Sequence, residues 1–282
     1  MTIGDLDREW LGKDDLITVV GLDEVGKGAW AGPVTVAAVA IQSPTVLVAM
    51  GVNDSKQLSP PVRDRLAPLI KDKVISWAIQ HVGEGAIDRI GIEGATAQAA
   101  QRAFEAVAVR SRGPLVALMD GYPIKVRFQE AWRTNYIPKG DTKSAAIAAA
   151  SIIAKVSRDR LMSNHYDIDY PGYYFHQHKG YGTKLHTQCL EELGPCGCHR
   201  MSFKPIKRHT PNPIGVVRLK KSKELAPLLE APLNAVLETV MELKLEEVLK
   251  DTRSRLILDG TDDNKLGLRL MYMRRVLCDQ TF

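Results

Sequence analysis

Four carboxylates stand at positions from which a folded sheet could bring them together: Asp23, Glu24, Asp120 and Asp141. Two adjacent acids end a first apolar run, a third follows a later apolar run, and the fourth precedes a long helical segment. Mg²⁺ is a hard ion that prefers oxygen ligands, so converging carboxylates beside substrate phosphates would suit it. Two such ions about 3.5 to 4 Å apart can support phosphodiester hydrolysis. Many strand ends carry similar acids, so the spacing alone does not identify a site.

A hairpin is predicted to present the first pair of acids. Leu16–Gly21 and Pro33–Ile41 are β-branched runs typical of strands. The connection between them contains Gly26, Gly28 and Gly32, which allow a tight turn in which the backbone approaches a ligand closely. Chemistry is therefore plausible in this connection.

The elements that follow are predicted to position the other two acids. In order they are a strand at Val74–Val82, a helix at Gly94–Arg110, a strand at Leu115–Met119, a strand at Arg133–Pro138 and a helix at Thr142–Asn164. The last helix is rich in alanine and serine, as expected of a helix packed closely against a sheet. Asp141 at its beginning is predicted to cap it while presenting a carboxylate beside the sheet edge.

The sequence changes character after Pro211, so we predict a domain at residues 1–211 and an appended module at residues 212–282. The module combines an amphipathic helix at Leu233–Asp251 with a hairpin formed by Arg255–Leu258, a polar turn and Leu266–Met273. It carries 12 Lys+Arg and 11 Asp+Glu, so the basic excess lies on the first part of the chain. This near-neutral charge disfavours strong nucleic-acid binding by the module, which could dock on the core or mediate another contact.

The composition is that of a globular protein without a membrane anchor. The 282 residues are 45% hydrophobic and 25% charged, and no apolar run reaches the roughly 18 to 20 residues of a membrane helix. A polar N-terminus and four cysteines, expected as free thiols, predict a cytoplasmic protein. The net charge of +5 is compatible with a phosphate-rich partner but does not establish one.

Longer motifs surround the four acids. The strings GLDEVGKGAWAGPVTVAAV, NDSKQLS, MDGY, KGDTKSAAIAAASIIAKVSRDRLM, HKGYGTKLH and HRMSFKP occur in this order between about Leu16 and Lys207. Together they resemble bacterial ribonuclease HII. The resemblance implies an α/β ribonuclease H-like fold with a mixed five-stranded sheet flanked by helices, followed here by a small α+β extension.

The same resemblance implies an activity and a cofactor. The matching acids, Asp23, Glu24, Asp120 and Asp141, would hold two Mg²⁺ or Mn²⁺ ions. The implied enzyme hydrolyses the RNA strand of RNA–DNA hybrids and cuts 5′ to ribonucleotides embedded in duplex DNA, leaving 3′-hydroxyl and 5′-phosphate ends. Such an enzyme removes misincorporated ribonucleotides and primer RNA.

Substrate selection requires a contact that senses the 2′-hydroxyl, which distinguishes RNA from DNA. Gly26 and Gly28 flank Lys27 in a tripeptide that the family uses for this purpose, usually with arginine in the middle. Lys27 keeps the charge of arginine but lacks its planar fork. By resemblance, Tyr181 would stack on the sugar of the following deoxynucleotide.

Further polar residues are predicted to contact phosphates without reading sequence. They are Lys56, Lys143 and Ser144, with Asp54, Ser55, Lys179 and Lys184 as additional candidates. Lys56 is the best supported of these because it lies within a matched motif.

Two alternative functions remain open. A ribonuclease HIII-like nuclease would share the core but carry an N-terminal substrate-binding domain, and only a short lead precedes Leu16. A non-catalytic scaffold that binds hybrids is disfavoured by the presence of all four acids. We expect a monomer that binds RNA–DNA hybrids and ribonucleotide-containing DNA, without a membrane partner.

Overall fold

The computed structural model describes residues 2–12, 16–111, 113–121, 133–209, 216–220, 254–261 and 265–272. The chain separates into two compact units. The first comprises Met1–His186 and Cys198–Phe203, and the second comprises Thr187–Gly197 and Lys204–Phe282. The predicted boundary at Pro211 stays a prediction.

A mixed five-stranded sheet forms the centre of the first unit. Its strands are β1 (Thr18–Val25), β2 (Val34–Ile41), β3 (Ser76–Val82), β4 (Leu115–Asp120) and β5 (Arg133–Ile137), in the spatial order β3-β2-β1-β4-β5. β1 pairs antiparallel with β2 and parallel with β4. β2 pairs antiparallel with β3, and β4 pairs parallel with β5. The predicted sheet and its first hairpin are confirmed.

Two long helices cover opposite faces of this sheet. The helices are α1 (Asp5–Leu11), α2 (Thr45–Ala49), α3 (Pro60–Lys73), α4 (Glu84–Ala108), α5 (Ala145–Leu161), α6 (Asp167–Asp169), α7 (Phe175–His178), α8 (Lys184–Leu193) and α9 (Lys204–Lys207). α5 packs with alternate residues of β1, β2 and β4 in one core, and α4 packs with the intervening residues in the other. Alternation along buried strands thus supplies both cores.

The small residues of α5 allow it to lie directly on the central strand. Gly21 of β1 faces α5 so closely that a Cβ there would lie 2.2 Å from the carbonyl carbon of Ala146 and 2.3 Å from the amide nitrogen of Ile147. Such distances are far below van der Waals contact, so any side chain at Gly21 would push the helix away. The prediction of a tightly packed helix is confirmed.

The start of α5 differs from the prediction. Asp141 lies in a 3₁₀ turn, Gly140–Thr142, and α5 begins only at Ala145. The N-cap is Ser144, whose Oγ accepts a hydrogen bond from the amide of Ile147. The prediction that Asp141 caps this helix is therefore wrong, because the intervening turn separates its carboxylate from the first helical amides.

The second unit contains a three-stranded antiparallel sheet. Its strands are β6 (Val216–Lys220), β7 (Ser254–Thr261) and β8 (Lys265–Tyr272), in the order β6-β8-β7. The β7–β8 hairpin confirms the prediction for this region, whereas β6 was not predicted. The helix predicted at Leu233–Asp251 lies outside the described residues.

Two further sequence expectations concern thiols and membranes. Cys189, Cys196 and Cys198 are not in disulfide bonds, as predicted, and Cys278 lies outside the described residues. In the described parts of the chain, no helix combines the length and apolar character needed to cross a bilayer.

Candidate active site

Three of the four acids lie at the ends of adjacent parallel strands. Asp120 is the last residue of β4, and the pairing of Leu22 with Met119 places Asp23 of β1 beside it. Glu24 follows Asp23, and its amide donates to Asp23 Oδ1 at 2.7 Å. The carboxyl ends of parallel strands meet at one sheet edge, which is where α/β folds place ligands.

The fourth acid reaches the same edge through the turn that follows β5. The amide of Gly140 donates to Asp120 Oδ1 at 2.6 Å, which ties this turn to the end of β4. Gly140 has no room for a side chain, because a Cβ would lie 2.6 Å from Cδ1 of Ile147. Asp141, the next residue, is consequently held near the end of β4, where the charge of Asp120 contributes to its raised pKa.

Burial and mutual repulsion disfavour the charged forms of these acids. Burial, together with the charges of Glu24 and Asp120, raises the pKa of Asp23 well above its usual value. Burial is also the largest cause of the raised pKa of Glu24, opposed by the nearby Lys27 ammonium. For Asp141, burial and the charge of Asp120 raise the pKa to about 6.

This donor set fits a divalent cation. Asp23 and Asp141 are only 7% and 6% exposed, and burial and the charges of neighbouring carboxylates raise the pKa of both. Like charges at such a site are relieved by a bound metal, and carboxylate oxygens are the ligands that Mg²⁺ and Mn²⁺ accept. Asp23, Glu24, Asp120 and Asp141 are the residues that would hold it.

The segment containing Asp54, Ser55 and Lys56 joins this edge from the side of α5. The hydroxyls of Ser151 on α5 and Ser55 are hydrogen-bonded, with 2.7 Å between their oxygens, and Ser151 also hydrogen-bonds Asp23, which opposes the rise in the pKa of Asp23. Partial burial disfavours the charge on Lys56, but Asp54, Asp23 and neighbouring acids outweigh it and raise its pKa. The Lys56 ammonium is therefore favoured as a cation by the acidic cluster, and its phosphate contact stays a prediction.

The glycine-rich loop after β1, residues 26–33, borders the acids. Gly26 has a φ of +86°, in the left-handed region that favours glycine, and a Cβ on Gly28 would meet no atom within 4 Å. The backbone at Gly28 is thus open to a ligand. Lys27 directs its ammonium to Glu93, with 2.9 Å between Nζ and Oε1.

Tyr181 belongs to a segment that is joined to this loop by backbone hydrogen bonds. The carbonyl of Gly180 accepts from the amides of Trp30 at 2.8 Å and Ala31 at 3.3 Å. Gly182 packs against the indole of Trp30, since a Cβ there would lie 2.1 Å from Cζ2. The loop and the Tyr181 segment therefore form one connected surface.

Two predicted phosphate contacts are engaged elsewhere. Ser144 is completely buried, and its hydroxyl donates to Asp7 Oδ1 at 2.7 Å while accepting from the amide of Ile147. Lys143 donates from Nζ to the carbonyl of Pro138 at 2.8 Å. The phosphate contacts predicted for these two residues stay predictions.

Three buried charged residues that are not among the predicted site residues support the site. Asp7 accepts hydrogen bonds from Ser144 Oγ and the amide of Ala145, and burial raises its pKa. Arg158 and Arg200 are fully buried beneath the loop. Asp7 has no local signal in its sequence, whereas both arginines lie within the motifs quoted above.

Comparisons with known proteins agree with this architecture. The sequence model of the family Ribonuclease HII matches residues 20–206. A ribonuclease HII from Listeria innocua is 45% identical over 189 residues, covering 67% of this chain and 69% of the relative. A ribonuclease HII from Halorhodospira halophila is 44% identical over 191 residues, covering 67% of this chain and 93% of the relative.

Solved structures show the same fold. The ribonuclease H2 of Pyrococcus horikoshii superposes with a TM-score of 0.58 at 23% identity, covering 68% of this chain and 96% of that one. The ribonuclease HII of Archaeoglobus fulgidus, solved in a complex with PCNA, gives a TM-score of 0.56 at 26% identity, with coverages of 66% and 95%. The family match, the close relatives and the shared fold lead to one conclusion: the chain belongs to the ribonuclease HII family.

Proposed function

We propose that this chain is a metal-dependent endonuclease that hydrolyses the RNA strand of RNA–DNA hybrids and cuts 5′ to ribonucleotides embedded in duplex DNA. The observation that carries the proposal is the meeting of Asp23, Asp120 and Asp141 at one sheet edge beside an open glycine-rich loop. The 44 to 45% identity to ribonucleases HII supports the substrate class.

The acids would hold two divalent ions. Asp23 and Asp120 would bind them from adjacent strand ends, and Asp141 would bind them from the turn. When bound, such ions supply a reactive water and stabilise the departing oxygen of the phosphodiester. The chain itself fixes the acids: the amide of Gly140 orients Asp120, and Ser151 orients Asp23. Mg²⁺ and Mn²⁺ accept the same oxygen ligands, so both should support cleavage.

Selection of the cutting position would belong to the loop and to Tyr181. At Gly26 and Gly28 the backbone lacks side chains, so its polar groups can approach the 2′-hydroxyl. Tyr181 would stack on the sugar of the next deoxynucleotide, and Lys56 would contact a phosphate. The products would carry 3′-hydroxyl and 5′-phosphate ends, as expected of an enzyme that removes misincorporated ribonucleotides and primer RNA. We place this activity in a cytoplasmic monomer.

The test is cleavage of a duplex with a single embedded ribonucleotide in the presence of Mg²⁺. Asp23→Asn should abolish nicking and leave the protein folded, whereas Asp169→Asn, which changes an exposed acid away from the site, should nick normally. Undiminished nicking by Asp23→Asn would contradict the assignment. Binding of the duplex without any nicking by the unaltered protein would favour the scaffold, and cleavage of continuous hybrids alone would favour a ribonuclease HIII-like activity.

A further inference from the structure

Arg158 and Arg200 are two fully buried arginines beneath the glycine-rich loop. Within the described part of the chain, neither forms an ion pair with a carboxylate. Burying a charge without compensation costs several kcal/mol, so polar partners must satisfy these guanidinium groups. Burial lowers the pKa of Arg200 to about 10, so this side chain remains charged at neutral pH.

Arg158 joins the loop to the segment that carries Tyr181. Its Nε donates to the carbonyl of Pro33 at 2.9 Å and its Nη2 to that of Ala31 at 3.0 Å. Its Nη1 donates to the carbonyl of Lys179 at 2.9 Å. The guanidinium carbon also lies 5.3 Å from the centre of the Tyr181 ring, within the range of a cation–π contact.

Arg200 holds the other half of the same loop. Its Nε donates to the carbonyl of Gly32 at 2.9 Å, its Nη1 to that of Lys27 at 3.0 Å, and its Nη2 to that of Gly26 at 2.7 Å. The two arginines together bind five of the eight carbonyls between Gly26 and Pro33. All their acceptors in these six bonds are backbone oxygens.

The contacts with the arginines leave no room for a side chain at Gly26 and Gly32 of the loop. A Cβ on Gly26 would lie 2.2 Å from Nε of Arg158, and a Cβ on Gly32 would lie 3.3 Å from its Nη2 and 2.3 Å from Sδ of Met162. Glycine at these two positions therefore lets the backbone rest directly on the guanidinium. The close approach is required by the protein interior, in addition to any approach of a substrate from outside.

These contacts exclude a direct role of the two arginines in phosphate binding. Both side chains have no exposed surface, and their donors are directed at carbonyls. What they control is the relative position of the loop and the Tyr181 segment. Those are the two elements proposed to recognise the ribonucleotide and the deoxynucleotide that follows it.

We infer that Arg158 and Arg200 are positioning residues that determine the preference for a ribonucleotide–DNA junction, by locking residues 26–33 to residues 179–181. The inference rests on the proposed function, since the junction is the substrate proposed there. The two arginines do not belong to the metal-binding acids. Their loss should therefore change which substrate is cut without changing the response to Mg²⁺.

The experiment uses the full chain and the variants Arg158→Lys and Arg200→Lys. Lysine keeps the positive charge, but its single ammonium group cannot span three carbonyls as a planar guanidinium does. Arg102→Lys is the matched control, because Arg102 is exposed on α4. Gly32→Ala is a fourth variant, which disturbs the same contacts from the loop side without removing an arginine.

Three quantities are measured for each variant. The first is the ratio of kcat/KM for a duplex with one embedded ribonucleotide to kcat/KM for a continuous RNA–DNA hybrid. The second is the Mg²⁺ concentration that gives half-maximal cleavage. The third is amide hydrogen exchange in peptides covering residues 26–33 and 179–182, with a peptide from α5 as the internal reference. Amides of Trp30 and Gly32 are hydrogen-bonded in the intact loop, so their exchange reports its locking.

We expect the ratio of the two kcat/KM values to fall about tenfold or more in both lysine variants and in Gly32→Ala. A fall of this size corresponds to the loss of one charge-assisted hydrogen bond. Exchange should accelerate in the two loop peptides and not in α5, and half-activation by Mg²⁺ should stay within about twofold. Arg102→Lys should match the unaltered protein in all three measurements.

The inference would be overturned if both cleavage activities fell equally and in proportion to the fraction of unfolded protein. An unchanged ratio of the two kcat/KM values, or unchanged amide exchange in the loop peptides, would also overturn it. A lysine variant that does not fold leaves the decision to the other variants. If the unaltered chain cuts neither substrate, the proposed function fails. In that case accelerated loop exchange would still support the locking by the arginines, and unchanged exchange would refute it.

Discussion

Replacing Asp141 by asparagine should stabilise the metal-free protein while destroying its catalytic function. The pKa of Asp141 is raised to about 6 by burial and by the charges of Asp120 and Asp54, with Lys56 opposing them. At neutral pH this carboxylate is thus charged in an environment that disfavours the charge. Asparagine is nearly isosteric and removes the charge.

The pKa gives the sign and the size of the effect. A folded-state pKa above the unfolded value of 3.8 means that Asp141 contributes stability fully below about pH 4, and this contribution is lost as the pH rises through about 6. Each pKa unit corresponds to about 1.4 kcal/mol, so the full shift sets an upper limit of about 3 kcal/mol. Because neighbouring carboxyls share the proton and solvent screens part of the repulsion, we expect Asp141→Asn to gain about 1 to 2 kcal/mol.

Urea unfolding in the presence of a chelator measures this gain. At about pH 7.5 the free energy of unfolding of Asp141→Asn should exceed that of the unaltered protein, and at about pH 4 the difference should nearly vanish. Millimolar Mg²⁺ should stabilise the unaltered protein and have much less effect on the variant, because the variant lacks one of the proposed ligands to the ion. Asp169→Asn serves as the control for removing one negative charge from the surface.

The reasoning would be refuted by a variant that is no more stable at about pH 7.5, or by a gain of the same size at about pH 4. The first result would mean that the acids do not repel one another in the folded protein. The second would mean that asparagine stabilises the turn for a reason unrelated to charge. Retained cleavage by the variant would separately remove Asp141 from the metal site.

Four further predictions concern residues around the site. Gly21→Ala should cost about 3 kcal/mol or more in a thermal unfolding experiment, because its Cβ would lie 2.2 Å from the backbone of Ala146; an unchanged melting temperature would contradict the packing. Asp7→Ala should lower the free energy of unfolding, measured in urea, by about 2 kcal/mol, because the buried Ser144 hydroxyl and the amide of Ala145 lose their acceptor. A decrease below about 0.5 kcal/mol would show that the contact is unimportant. Lys27→Arg should lower KM for a duplex with one embedded ribonucleotide, because the planar guanidinium can bind a phosphate through two hydrogen bonds where the lysine ammonium cannot. Glu93→Gln, which breaks only an exposed ion pair with Lys27, should change the free energy of unfolding by less than about 0.5 kcal/mol.

Much of the sheet was predictable because the strands coincide with short apolar or β-branched runs in the sequence. The β-branched runs of β1 and β2 are separated by a glycine-rich connection, which favours an antiparallel pair. Asp120 directly after an apolar run predicted an acid at a strand end, and the structure places it as the last residue of β4. The alanines of α5 predicted close packing, and Gly21 shows how close it is.

The start of α5 was not predictable in the same way. Asp141 and Ser144 are both good N-cap residues, so propensity does not choose between them. Two contacts decide between them. The amide of Gly140 fixes the turn against Asp120, and the Ser144 hydroxyl donates a hydrogen bond to Asp7, which lies on α1, 137 residues earlier in the chain. A contact of such sequence separation has no local pattern, so it could not be read from the sequence alone.

The loop illustrates a more general difference between contact residues and positioning residues. A residue proposed to hold a metal or phosphate is restricted in type, so Asp23 and Lys56 could be named from the sequence once the motifs around them were matched. A backbone carbonyl is present at every position, so the acceptors of Arg158 and Arg200 need no particular side chain and leave no pattern of their own. The trace that remains in the sequence is steric, in Gly26 and Gly32, where only glycine lets the backbone reach the guanidinium. The glycine-rich loop that the sequence predicted to contact substrate thus also contacts the buried arginines. The tripeptide at residues 26–28 is held by Arg158 and Arg200 on its buried side, and it is proposed to recognise RNA on its exposed side.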